Sequence, residues 1–190
     1  MATKNIMLVG VGGQGTILAS KLLTLGLLEH GYDVKMSEIH GMSQRGGSVS
    51  SMIRYGEKVA CPVIEEGTVD LLIAFEKLEA LRYLPCLKQE GTVVANDFRI
   101  DPAGVLSQQF EYPANVAESL AHAVSTIVVP ASKMAQELGN SRVMNIILLG
   151  IIAKFMGLDD IEWKSIIARN VKGSFVEINL AAFERGFAFQ

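Results

Sequence analysis

Two glycine-bearing stretches stand out as candidates for binding a ligand. In the first, Gly10, Gly12 and Gly15 fit the spacing G-x-G-x-x-G, with Gly13 and Gln14 completing the turn. The turn lies between a short apolar strand that opens at Asn5 and a long helix. Glycine permits a positive φ, and without a Cβ it lets a phosphate approach the backbone closely. A helix starting there aims free N–H groups and its positive dipole end at an anion. The same glycines equally suit a strand and helix that only pack close together. The second stretch runs Ile39-His40-Gly41-Met42-Ser43-Gln44-Arg45-Gly46-Gly47-Ser48. Gly46 and Gly47 can form a nest of successive N–H groups, and Arg45 can add a bidentate charge for phosphate or carboxylate. Ser43, Gln44 and Ser48 supply further polar contacts, although Gly and Ser alone also describe a plain surface loop. The chemistry common to both stretches is anion binding.

Hydrophobic periodicity supplies the strands and helices around these bends. Gly13 to His30 reads as a helix with Ile17, Leu18, Leu22, Leu25 and Leu28 on its apolar face. Gly31 is placed to end it in the left-handed region. Tyr32 to Glu38 reads as a strand, so the first segment is a βαβ unit with an expected right-handed crossover. A dinucleotide fingerprint asks for an acid roughly 20 residues further on, to hold a ribose hydroxyl. Glu38 is the candidate, and a solvent-facing role fits it as well. The second bend follows the carboxyl end of that strand, the edge of an open α/β sheet where ligands bind. His40 there is a possible donor or a satisfied structural histidine.

Further along, Val49 to Tyr55 alternates as a strand, and Val59 to Val63 is its expected hairpin partner, held to an edge by Pro62. Asp70 to Phe75, Thr92 to Ala95 and Thr126 to Val129 read as strands, with a short one from Gln109 to Tyr112. Helices are expected over 76–87, 115–124 and 131–138, and 96–107 reads as a polar connector. Ser141 can cap a helix to Met156 that is apolar nearly all round, and therefore buried in its own core or against another subunit. Asp159 or Asp160 can cap a helix over 161–170, and a last helix spans 172–186. The pattern predicts a single α/β domain over 1–190, three-layer and Rossmann-like, with a mostly parallel, mixed sheet and a helical C-terminal third.

Composition narrows the function. Hydrophobic residues make up 49% of the 190, a share that suits a globular domain with a sizeable core. Lys and Arg number 17 against 20 Asp and Glu, for a formal charge of −3, which argues against a nucleic-acid binder. The longest apolar run is too short to span a bilayer, and no membrane partner is expected. Met1 to Lys4 leads directly into the first strand, so no signal peptide is expected. Cys61 and Cys86 are far apart and suit reduced thiols in a cytoplasmic protein. They cannot supply a four-cysteine iron–sulfur site.

There is no G-x-S-x-G elbow, no H-E-x-x-H and no Walker A lysine, and the three histidines lack metal-ligand spacing. No residue is singled out as catalytic and none as a metal ligand. The chain reads as a ligand-binding domain whose reactive centre lies elsewhere.

Val9 to Gly15, followed by Ser37-Glu38-Ile39-His40-Gly41-Met42-Ser43-Gln44-Arg45-Gly46-Gly47-Ser48-Val49, resembles the gamma domain of the 2-oxoacid:ferredoxin oxidoreductases. The variant Met-Ser-Gln-Arg-Gly-Gly-Ser-Val is similar to the small beta subunit of the indolepyruvate type. Softer matches are Val129-Pro130-Ala131, Leu138-Gly139-Asn140, the Asn145 to Gly150 segment and Phe175-Val176-Glu177-Ile178-Asn179. The resemblance implies oxidative decarboxylation of an arylpyruvate to the aryl-acetyl-CoA, with ferredoxin reduced through the complex. It implies coenzyme A contacted by Gly12, Gly13, Gln14, Gly15, Ser43, Gln44, Arg45, Gly46 and Gly47. It places thiamine diphosphate and the iron–sulfur clusters in a larger catalytic alpha subunit. Alone, the chain is expected to be inactive and able to self-associate through its apolar Met144 to Met156 region. Two other readings are a stand-alone NAD- or flavin-binding protein and a purely structural subunit.

Overall fold

The computed structural model describes residues 2–39 and 46–189. Its centre is β1 (Lys4–Val11), buried along nearly its whole length because its side chains are apolar on both faces. Ile6 and Leu8 enter one core layer, Met7 and Val9 the other. A strand buried on both faces is the mark of a sheet covered by helices on each side.

Six strands form the sheet in the order β2-β3-β1-β4-β5-β6. The others are β2 (Asp33–Ile39), β3 (Ser48–Gly56), β4 (Val69–Ala74), β5 (Leu87–Asn96) and β6 (Ser125–Val129). β4 pairs parallel with β1 and β5, and β5 with β6, while β3 runs antiparallel to both its neighbours. The expected three-layer α/β architecture with a mostly parallel, mixed sheet therefore holds.

The helices divide by face. α1 (Thr16–Glu29), α5 (Ala131–Glu137), α6 (Met144–Phe155), α7 (Trp163–Asn170) and α8 (Val176–Phe187) contribute to one layer. α2 (Lys77–Arg82) and α4 (Val116–Ala123) contribute to the other. α6 is buried continuously from Met144 to Ala153, inside the chain's own core, so that stretch is not open for self-association. It crosses α8 at glycines: a Cβ on Gly186 would lie 1.9 Å from the Ile147 carbonyl oxygen. No helix among the described residues is long and apolar enough to cross a membrane.

Several expectations are corrected. Val59 to Val63 is not a strand; β3 takes β2 and β1 as neighbours instead, so it lies between the two strands of the βαβ unit. Arg54 explains why the 59–63 segment stays close without a ladder. Its guanidinium donates to the carbonyls of Cys61 (3.0 Å) and Val63 (2.9 Å). Gln109 to Tyr112 is also not a strand, because Gln108 at φ 59 reverses the chain after α3 (Ala103–Leu106). The helix expected over 76–87 ends at Arg82, and a separate 3₁₀ turn with Pro85 spans Leu84–Cys86. Asn140 rather than Ser141 caps the turn that leads into α6, accepting from the Arg142 N–H at 3.0 Å. α7 starts at Trp163 without an aspartate cap. The buried face of α1 carries Ala19, Leu22, Leu23 and Leu27, leaving Ile17 and Leu28 exposed. With leucines all round that helix, its contact with Trp163 across Gly26 helps to set the rotation.

Candidate ligand-binding site

The two bends meet at one rim of the sheet. Val11 pairs with Ser48 at the carboxyl end of β1, and beyond that pair the Gly12 N–H donates to the Gly47 carbonyl at 2.9 Å. The antiparallel β1–β3 ladder forces this meeting, because it sets the end of one strand beside the start of the other. Gly13 and Gly46 are exposed, and both have positive φ. Ser43, Gln44 and Arg45 lie outside the described residues, as does His40.

Within the first bend the glycines differ in use. Gly10 sits in β1 opposite Val49, and an added Cβ would meet Gln14 Oε1 and Phe75 Cβ, each at 2.9 Å. Gly15 precedes α1 at φ 80. A Cβ there would stand 2.6 Å from Asn145 Nδ2, which donates to the Gly15 carbonyl at 3.1 Å. The opening N–H groups of α1 have no intrahelical acceptors, and they face the end of the turn.

Three of the predicted side chains are engaged within the protein. Gln14 Oε1 accepts from the Val11 N–H at 2.8 Å, and its Nε2 donates to the Phe75 carbonyl at 2.9 Å. The side chain therefore braces the turn from β1 to β4. Glu38 accepts from Ser20 Oγ at 2.7 Å and from Ser51 Oγ at 3.4 Å, joining β2 and β3 to α1. Ser48 points toward α2, where its hydroxyl donates to Glu79 and lies 3.3 Å from the Tyr83 hydroxyl. Glu79 is buried and also accepts from Arg82 Nε at 3.1 Å.

Beside the first bend lies an open crevice of about 670 Å³, lined by Gly13, Gln14, Gly15, Phe98, Ser132 and Arg142 among others. Arg142 brings a cation that periodicity did not single out. The rim is held by buried polar residues from distant parts of the chain. Asn96 donates from Nδ2 to the Phe75 carbonyl (3.0 Å) and to Ser132 Oγ (2.9 Å), and its Oδ1 accepts from the Ser132 N–H (3.1 Å). Glu76, at the end of β4, accepts from the N–H groups of Leu78, Glu79 and Ile100 and from the Tyr112 hydroxyl at 2.6 Å. Burial, then the bond to Glu76, pushes the Tyr112 phenol well above its ordinary range. The Arg99 guanidinium stacks 4.2 Å from the centre of the Tyr112 ring. A polar residue inside an otherwise apolar run, as at Asn145, is the one signal that could have marked this framework in advance.

Chemically, the arrangement presents backbone donors and a helix N-terminus to an anion. Among the described residues the bends carry no nucleophile–base pair, and no group of three His, Cys, Asp or Glu is placed to hold a metal.

Known proteins share both the sequence and the architecture. The family model for pyruvate ferredoxin/flavodoxin oxidoreductase matches residues 5–189. The indolepyruvate oxidoreductase subunit IorB of Thermococcus kodakarensis is 36% identical, over 98% of this chain and 95% of its own length. Among solved structures, the gamma subunit of a keto/oxoacid ferredoxin oxidoreductase from Geobacter sulfurreducens superposes with a TM-score of 0.74 at 22% identity, covering 98% of this chain and 95% of that one. A 2-oxoglutarate:ferredoxin oxidoreductase from Magnetococcus marinus gives a TM-score of 0.76 at 20% identity, with 99% of this chain matching 31% of that one. With the match running from the first strand to the last helix, the chain belongs to the pyruvate ferredoxin/flavodoxin oxidoreductase family.

Proposed function

We propose that this chain is the small subunit of an indolepyruvate-type 2-oxoacid:ferredoxin oxidoreductase and that its two bends position coenzyme A for a larger catalytic subunit. The reaction joins an arylpyruvate, coenzyme A and oxidised ferredoxin to give the aryl-acetyl-CoA, carbon dioxide and reduced ferredoxin. The observation that carries the reading is the Gly12–Gly47 hydrogen bond, which puts both glycine bends on one rim. Gly13 and Gly46 are exposed there, and Arg142 adds positive charge in the adjoining crevice. These features fit a phosphate-bearing carrier. Arg45 and its neighbours Ser43 and Gln44 are assigned to the same ligand through their place in the second bend.

In this assignment the chain binds and orients; it moves no electrons. Holding the carrier in register removes much of the entropic barrier to the partner's chemistry. Thiamine diphosphate and the iron–sulfur clusters are assigned to the larger subunit, because two cysteines cannot ligate a cluster that needs four. The chain is taken to act as one domain, in the cytoplasm, with ferredoxin meeting the complex rather than this subunit alone. The rival reading, a stand-alone NAD- or flavin-binding protein, needs Glu38 for a ribose. Glu38 is instead engaged by Ser20 and Ser51.

Coexpression with a candidate larger subunit tests the reading. Coenzyme A-dependent ferredoxin reduction with indolepyruvate is expected to require this chain. Equal activity of the larger subunit without it would refute the proposal.

A further inference from the structure

A second cavity of about 520 Å³ opens between the start of α6, the end of α7 and the start of α8, with Asn145 in its wall. Asn145 lines it and is 4% exposed, yet its Oδ1 has no hydrogen-bond partner among the described residues. Leaving a buried acceptor unpaired is costly, so such an atom calls for a donor from outside the described residues, and a bound molecule is one that the adjoining cavity can admit. Asn170 and Asn179 line the same cavity, and each has committed its Nδ2 to a backbone carbonyl, of Ile166 and Phe175 respectively. Their carbonyl oxygens are left as further acceptors. Arg142 and Lys172 also line the cavity, without a carboxylate partner among the described residues. Leu18, Val143 and Phe175 supply apolar wall.

Three amide acceptors call for a group rich in N–H, such as an ammonium. Two cations beside the N-terminus of α6 call for an anion. The apolar wall calls for a hydrocarbon or aromatic body. We propose that this cavity binds a free α-amino acid with an apolar side chain, its ammonium on the asparagine oxygens and its carboxylate on Arg142 and Lys172. Because Asn145 Nδ2 holds the Gly15 carbonyl, occupancy reports directly to the glycine bend. The cavity shares Arg142 with the crevice beside the first bend, but its asparagine cluster, Lys172 and apolar wall belong to it alone, and the inference does not depend on the coenzyme A assignment.

The test is calorimetric titration of the full chain with the proteinogenic amino acids, each beside its deaminated 2-oxoacid. At least one apolar amino acid is expected to bind saturably, and its 2-oxoacid to bind about tenfold more weakly or not at all. Lys172→Gln, at an exposed position, is expected to weaken binding about tenfold with the melting temperature of the free protein in place, and Asn170→Leu to weaken it about tenfold while lowering that temperature slightly through the lost bond to Ile166. The proposal is overturned if no amino acid binds at millimolar concentration, if the 2-oxoacid binds as well, or if both variants bind like the parent. Loss of binding once the larger subunit has joined would also overturn it, by marking the cavity as an inter-subunit contact.

Discussion

Replacing Gln14 by alanine separates a brace from a ligand contact. In the folded chain its amide closes the turn twice, at Val11 N–H and at the Phe75 carbonyl. The two losses are unequal. Phe75 keeps its bond from Asn96 Nδ2, so its carbonyl remains satisfied and the loss there is about 0.5–1.5 kcal/mol. Val11 is 8% exposed, and its N–H is left without that partner, at a cost of about 1–3 kcal/mol. Together the substitution should destabilise the chain by about 1.5–4.5 kcal/mol. With a urea slope of about 2 kcal/mol per molar, the unfolding midpoint should fall by about 1–2 M. Gln14→Met keeps the volume and loses the same bonds, so it should fall nearly as far. In the assembled complex both variants should raise the KM for coenzyme A more than they lower kcat, because the bend loses its preorganised shape. The reasoning is refuted if either variant unfolds within about 0.3 M of the parent while the KM still rises. That result would mean the amide meets the ligand and not the turn.

Two further outcomes follow from packing and from burial. Gly186→Ala puts a methyl group where the Ile147 carbonyl oxygen stands, so α6 and α8 must separate; a loss of about 3 kcal/mol or more is expected, seen calorimetrically as a melting temperature lower by about 6–12 °C. Burial first of all raises both Tyr55 and Tyr112 above the ordinary phenol value of 10.0, so the unfolded state gives up these protons before the folded one does. Their stabilisation is therefore complete below about pH 10 and is lost as pH rises through the folded values, with Tyr55→Phe or Tyr112→Phe flattening the alkaline limb of stability measured by denaturant titration.

Legibility in the sequence tracks how local each decision is. β1 can be read because its own residues are apolar on both faces, and α6 because its apolar positions go all round. The place of β3 cannot be read that way. Its alternation marks a strand without saying which strands flank it, and the nearest partner in sequence, 59–63, was the wrong one. What decided the matter was distant: Arg54 Nε reaches Asn5 Oδ1 at 3.0 Å, and the same side chain holds the 59–63 carbonyls. α1 failed differently. Its leucines leave nearly every rotation apolar, and only the approach of Trp163 and the sheet selects one face.

At the candidate site the glycines and the side chains parted company. Spacing placed Gly12, Gly13, Gly15, Gly46 and Gly47 at one rim, as found. The spacing cannot say which neighbouring side chains remain available, because that depends on partners as far off as Phe75, Glu79 and Asn145. Gln14, Glu38 and Ser48 became struts for the turn, for β2 and β3, and for the second bend. Under the proposed function, these three side chains shape the rim rather than meet the ligand. The site should tolerate a change at Gln14, Glu38 or Ser48 that keeps the bend's shape, and fail with one that alters it. At Gly15 an alanine would both strain a φ of 80 and push Asn145 from the carbonyl it holds, although it removes no group that could touch a ligand.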